Sequence, residues 1–430
     1  MTKYAAYIYL TICMAFSCGC KEVSEEKSSV QLIENTLHVN AAPFVINGIN
    51  WNYRPIGHNY EYNLWGQSDE KIRKVLDTEM TMLQNMGVNT LRLYTGIPPK
   101  WIIYIYEKHN IYTMINHSFG RYGIEVKGEW IANTNYAHTQ TIDALMSEVS
   151  EVVDQYQETP GLLGYILGNE NNYGLFWKGS ETENIPTPEN LPIERAKALY
   201  VAFEKATLLI KSKDTSLPVA ICNGDLMFLE LLNEECPSLD ILAVNVYRGV
   251  SFGDLFKDVK KYTNKPLMLT EFGADAFDNL NQREDQASQA NYLLGNWKEI
   301  YQNSENIGGA TNSIGGFTFQ FSDGWWKTGQ TINLDKHDSL ASWENGGYKE
   351  DYIKGENNIN EEWFGICAKE LDDSSGAYTL VPRSAYYTLQ KIHAINLFDT
   401  ENSYASLEEV FIEIKNNTSL NKNLENINGN

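Results

Sequence analysis

Two glutamates close apolar runs in this chain: Gly164-Tyr-Ile-Leu-Gly-Asn-Glu170 and Pro266-Leu-Met-Leu-Thr-Glu271. Carboxyl groups held as a pair have a specific chemical use. One can protonate a leaving oxygen while the other presents negative charge on the opposite side of the bond, which is what cleaving an acetal between sugars requires. At a separation of about 5–5.5 Å the second carboxylate attacks directly and anomeric configuration is retained. A lone glutamate at a strand end is more often a surface acid. Two of them, 101 positions apart, carry more weight, because that interval is about three strand–helix units of roughly 30 residues.

The elements that must position these groups are legible as alternation. Strand candidates are Phe44–Trp51, Val88–Tyr94, Tyr112–His117, Leu162–Gly168, Leu217–Cys222, Ile241–Val246, Leu267–Thr270 and Ile314–Phe321. Amphipathic helix-length segments lie between them, including Glu70–Met86, Ile142–Tyr156, Ile193–Ser212 and Asp285–Tyr301, with a last helix near Arg383–Ile395. Eight such units predict an α/β fold, a single closed (β/α)8 TIM barrel, with Glu170 and Glu271 ending strands four and seven. Strand one is not followed by Gly-x-Gly-x-x-Gly, so a dinucleotide site has no support. Long connections, Asn171–Glu189 and Gly324–Trp363, follow strands four and eight and are rich in aromatics. Loops of that length in a compact domain are usually functional.

The strand-end motifs resemble those of clan A retaining glycoside hydrolases, which carry Asn-Glu at the end of strand four and Glu at the end of strand seven. Gly168-Asn169-Glu170 and Thr270-Glu271-Phe272-Gly273-Ala274-Asp275 are similar to these motifs, the second resembling the family 2 glucuronidases. The opening Phe44-Val-Ile-Asn-Gly-Ile-Asn-Trp51 resembles family 2 barrels and, more weakly, β-1,3-glucanosyltransferases. The sandwich domains that precede the family 2 barrel have no room here. The resemblance implies Glu271 as nucleophile and Glu170 as acid/base. It also implies Asn169 on the sugar 2-hydroxyl, Arg92 and Tyr247 on the nucleophile, and His117 lining the sugar subsite. Arg92 also reads as a structural ion-pair partner, and His117 as a satisfied core histidine.

Trp325 and Trp326 suit stacking on a pyranose face, and the resemblance favours Trp325 as the floor of the cleavage subsite. Trp51 and Tyr53 are candidates for the same cleft, with core packing as the competing role; His58 and Trp177 are further candidates. The implied partner is an oligo- or polysaccharide, most simply a β-glucan cleaved by double displacement. A β-glucan transglycosylase on the same barrel is the alternative, and a non-catalytic glycan-binding lipoprotein is a third reading that intact paired glutamates argue against.

Composition bounds the rest. The chain has 430 residues and a formal net charge of -22, which argues against a nucleic-acid partner. The seven His do not cluster, and neither Cys-x-x-Cys nor His-Glu-x-x-His occurs, so no metal and no cofactor are expected. Three cysteines in the body, Cys222, Cys236 and Cys367, permit one disulfide at most. Lys3 followed by the apolar run Tyr4–Phe16 reads as an export signal. Ser17-Cys18-Gly19-Cys20 resembles a bacterial lipobox in which Cys20 or Cys18 takes the lipid, implying a bacterial outer-membrane anchor at the periplasmic face or cell surface. The expected organisation is a signal over 1–20, a tether over 21–38, the catalytic barrel over 39–398, and an Asn-rich mobile tail over 399–430.

Overall fold

The computed structural model describes residues 27–175, 193–327, 329–340, 359–371 and 378–428, with side chains to 417. Eight strands form a closed barrel: β1 (Ile46–Asn50), β2 (Thr90–Tyr94), β3 (Tyr112–His117), β4 (Leu162–Leu167), β5 (Val219–Gly224), β6 (Ile241–Asn245), β7 (Leu267–Phe272) and β8 (Ser313–Thr318). Each pairs in parallel with the next, and β8 closes the ring on β1. All eight expected strands are present, with ends shifted by a few residues. Strands covered on both faces read as continuous apolar runs, and β3, β4 and β5 are buried at every position.

A helix follows each strand: α1 (Asp69–Asn85), α2 (Pro99–His109), α3 (Thr139–Tyr156), α4 (Ile193–Lys213), α5 (Leu229–Glu235), α6 (Leu255–Tyr262), α7 (Gln286–Gln302) and α8 (Ser384–His393). In α1 the local logic is plain. Ser68 accepts from the Lys71 N–H at its start, acids occupy its first turn, and Ile72, Val75, Leu76, Met80 and Leu83 make one buried stripe.

The chain ends depart from expectation. The second half of the expected tether belongs to the domain: Val30–Ile33, Thr36–Val39 and Ala42–Phe44 form an antiparallel sheet. Val30, Leu37 and Val39 are buried there, and Asn35 donates to the Thr311 carbonyl just before β8. This sheet covers the end of the barrel where the strands begin. The expected mobile tail instead contains α9 (Tyr404–Asn428). Leu407, Phe411 and Ile414 bury one stripe of it, and Glu408 binds Lys298 and Gln302 of α7. Asparagine-rich composition hid a helical apolar spacing. Cys222, Cys236 and Cys367 are buried free thiols.

Candidate active site

The mouth of the barrel is organised around Arg92, in the middle of β2 and fully buried. Its Nε donates to Asn116 Oδ1 on β3 at 2.8 Å, Nη1 to Asn50 Oδ1 on β1 at 3.2 Å, and Nη2 to Asn169 Oδ1 after β4 at 2.9 Å. Nη1 also meets Glu271 Oε1 at 2.5 Å, an ion pair whose arginine side chain has no exposure. A buried cation with this many fixed acceptors cannot turn away from its carboxylate partner. The other Glu271 oxygen, Oε2, accepts from the Tyr247 hydroxyl at 3.2 Å.

Glu271 owes its direction to an irregularity. Across the β6–β7 pairing, Val244 stands opposite Leu269 but Asn245 opposite Glu271, so β7 carries one extra residue. A bulge of this kind re-aims the side chains beside it. Thr270 is consequently inside as well, its hydroxyl 3.2 Å from the Cys222 thiol.

Glu170 is placed by a turn rather than by strand geometry. Gly168 takes a positive φ of 79°, and a Cβ there would meet Asn171 Oδ1 at 2.6 Å. Glu170 itself adopts left-handed backbone, φ 58° and ψ 35°, a region that non-glycine residues seldom occupy. Asn171 holds the turn: its Oδ1 accepts from the Asn169 N–H at 2.7 Å, and its Nδ2 donates to the Phe119 carbonyl and the Tyr136 hydroxyl. Glu170 Oε1 accepts from Asn245 Nδ2 at 3.1 Å, and the same Nδ2 lies 3.1 Å from Asn169 Oδ1. Burial, then the charge of Glu271, pushes the Glu170 carboxyl up to about 7, against the opposing pull of Arg121, the Asn245 bond and Arg92. The site therefore holds one ion-paired carboxylate and one carboxyl that keeps its proton near neutrality.

Of the residues singled out in the sequence, Glu170, Glu271, Asn169, Arg92 and Tyr247 meet in this lattice. Others do not. His117 follows Asn116 on β3 and so faces the helices; its Nε2 lies 3.2 Å from Glu148 of α3, and its Nδ1 accepts from the Phe119 N–H. Trp51 follows Asn50 in the same way and is buried, donating from Nε1 to Glu79 of α1 at 2.7 Å. Tyr53 packs with Tyr62 and Tyr378, and His58 with Tyr62.

Trp325 is held in a stack with His337 (centroids 5.0 Å, 6° between planes), which stacks in turn on Trp363. Trp326 packs against Tyr60 and beneath Arg54. Beside Tyr247 stand Phe319 from the end of β8, edge-on at 6.4 Å, and Phe364, edge-on at 5.8 Å. Trp177 and the lipobox cysteines Cys18 and Cys20 lie outside the described residues.

Sequence reasoning missed Asn50, Asn116 and Asn245, which hold Arg92 and Glu170, and Tyr122, whose hydroxyl accepts from Asn169 Nδ2 at 2.8 Å. The signal for the asparagines was present. Each stands at the end of an apolar strand or one residue before it, where a buried amide must find partners.

No family model matches the chain. Over 181 residues it is 28% identical to a probable 1,3-beta-glucanosyltransferase of Saccharomyces cerevisiae, a match covering 40% of this chain and 31% of that protein. Among solved structures it is similar to a Bacteroides uniformis beta-glucuronidase (12% identity, TM-score 0.55, 86% of this chain and 37% of that one). A Dictyoglomus thermophilum beta-D-glucuronidase is comparable (12%, TM-score 0.56, 87% and 55%), as is a family 2 beta-galacturonidase of Eisenbergiella tayi (13%, TM-score 0.53, 85% and 54%). The chain thus spans between about a third and a little over half of the length of these proteins. Its closed parallel barrel and these likenesses agree on one conclusion: the chain has the TIM-barrel fold of the family 2 glycoside hydrolases.

Proposed function

We propose that this chain is a retaining β-glycosidase acting on a β-linked glycan, with Glu271 as nucleophile and Glu170 as acid/base. One observation carries the reading: two carboxyl groups share the mouth of a barrel in unlike surroundings. Arg92 and Tyr247 grip both oxygens of Glu271, while Glu170 is pushed up to about 7.

In the first step a Glu271 oxygen bonds to the anomeric carbon as the glycosidic C–O bond breaks, and Glu170 gives its proton to the departing oxygen. Formation of the ester removes the Glu271 charge that helped to raise Glu170, so the Glu170 affinity for a proton falls. It is then suited to take a proton from water as the water oxygen displaces the ester and regenerates the Glu271 carboxylate. Asn169, fixed by Arg92, Asn245 and Tyr122, is assigned the 2-hydroxyl of the bound sugar on the strength of the family resemblance.

Proton NMR of the first-formed product tests the mechanism. The β-anomer is expected initially, and initial α-anomer would overturn the nucleophile role of Glu271.

The similarity to a glucanosyltransferase favours a second reading, transfer to a sugar hydroxyl in place of water, with a β-glucan as donor. Chromatography at high substrate concentration distinguishes the two, since only transfer yields products longer than the substrate. The N-terminal sequence supports an exported, lipid-anchored protein, and radiolabelled palmitate incorporation that is lost on replacing Cys18 or Cys20 would identify the acylated residue.

A further inference from the structure

The loop between β3 and α3 carries aromatic surface that the reaction above does not use. Residues 118–123 are fastened over the acid/base turn: Asn171 Nδ2 donates to the Ser118 and Phe119 carbonyls, and Tyr122 binds Asn169. Directly after Tyr122 the chain forms a hairpin, Ile124–Val126 paired with Glu129–Ile131. Ile124 points inward and is buried, whereas Trp130 shares the opposite face with Glu125 and is 65% exposed.

Trp130 is not a loosely hung side chain. The edge of its indole lies against Gly123, where a Cβ would meet Cζ2 at 2.6 Å, and Gly123 has a φ of 106°. Glycine is required there on both counts, for the backbone region and for the close approach of the ring. The hairpin therefore holds a large aromatic surface in water against Gly123, the neighbour in sequence of the tyrosine that touches Asn169. Adjacent Cα atoms are about 3.8 Å apart, so the platform begins within about one sugar-ring length of Tyr122. The hairpin belongs to the connection after β3, and Tyr122 ties its start to Asn169, the residue before Glu170; a leaving group protonated by Glu170 would depart past that residue.

We propose that Trp130 is the stacking platform of an aglycone-side subsite that takes a pyranose ring of a β-linked oligosaccharide. The inference rests on the glycosidase reading and deepens it: the preferred substrate extends beyond the cleaved bond on the leaving-group side, and any acceptor for transfer binds on the same ring. An indole presents an apolar face to the C–H face of a pyranose and needs no ordered counter-charge, so the subsite selects a sugar chain over a small leaving group.

Trp130→Ala and Trp130→Phe are compared with wild type on an aryl β-monoglycoside and on a ladder of β-1,3-linked gluco-oligosaccharides. Trp130→Ala is expected to lose about tenfold in kcat/KM on the longer oligosaccharides and to stay within about twofold on the aryl glycoside, with Trp130→Phe recovering most of the loss. Equal losses on both substrates, or none, would overturn the subsite. If wild-type protein cleaves neither substrate, the glycosidase reading fails separately. Calorimetric titration with the longest oligosaccharide then decides the platform: binding that Trp130→Ala removes sustains it, and no binding or unchanged binding refutes it. Light scattering that shows a dimer dissolved by Trp130→Ala would also overturn the proposal, by giving the ring to a second copy of the chain.

Discussion

Two rings of residues circle the open end of the barrel, one position apart in sequence and opposite in role. The inner ring contains Asn50, Arg92, Asn116, Asn169, Asn245 and Glu271, tied to one another by bonds of 2.5–3.2 Å. The outer ring contains Trp51 and His117, which meet Glu79 and Glu148 on the surrounding helices. Both rings offer residue types capable of chemistry, and both pair such residues with carboxylates. They differ in which side of a strand each side chain leaves, because successive Cβ atoms alternate across a strand. Polar residues on the outer side fasten helices to the barrel, and those on the inner side are collected at a point by closure of the ring.

Substitution at both rings tests that division. The largest effect is expected at the carboxyl pair: Glu271→Gln and Glu170→Gln should each lower kcat/KM on a β-glycoside by 10³-fold or more, measured with stability confirmed by thermal melts. Near wild-type turnover in either would dissolve the inner ring as a catalytic unit. Arg92→Lys comes next, with a loss of about 10²-fold, because an ammonium cannot reach Asn50, Asn116, Asn169 and Glu271 from one position.

Asn245→Ala should act mainly on pH dependence. The Asn245 amide donates to the ionised form of Glu170 and thereby favours loss of its proton. Without that bond Glu170 holds its proton to higher pH, so the alkaline limb of the kcat/KM profile, near pH 7 in wild type, should move upward. A downward shift would contradict the assignment of that limb to Glu170. The smallest kinetic effect belongs to the outer ring. Trp51→Phe strips one donor from buried Glu79, which should destabilise the fold by about 1–3 kcal/mol in denaturant titrations while kcat/KM stays within about twofold. A hundredfold kinetic loss there would erase the distinction between the rings.

Much of this molecule was legible before folding. Glu170 and Glu271 stood out because each closes an apolar run, and apolar runs of strand length separated by amphipathic segments imply a parallel barrel whose chemistry lies at strand ends. Arg92 and Tyr247 were legible through the resemblance of the strand-end motifs to those of clan A glycoside hydrolases. Trp51 and His117 were candidates beside competing structural roles, since residue type at a strand end does not reveal which face a side chain takes. Trp325 drew attention as a strand-eight tryptophan; folding stacks it on His337, which stacks on Trp363, while Phe319 and Phe364 stand beside Tyr247. The helix after residue 404 was missed because its apolar positions, Leu407, Phe411 and Ile414, are diluted by asparagine.

What the amino-acid order determined by itself is the inventory: eight strands, their helices, and two glutamates three units apart. Periodicity of hydrophobic burial is a local property, so it can be read along the chain. Only tertiary structure decided which oxygen faces which donor. The bulge at Thr270, the left-handed turn at Glu170 and closure of β8 on β1 bring together atoms remote in sequence, and the proton affinity of Glu170 arises from that meeting, through desolvation and the charge of Glu271.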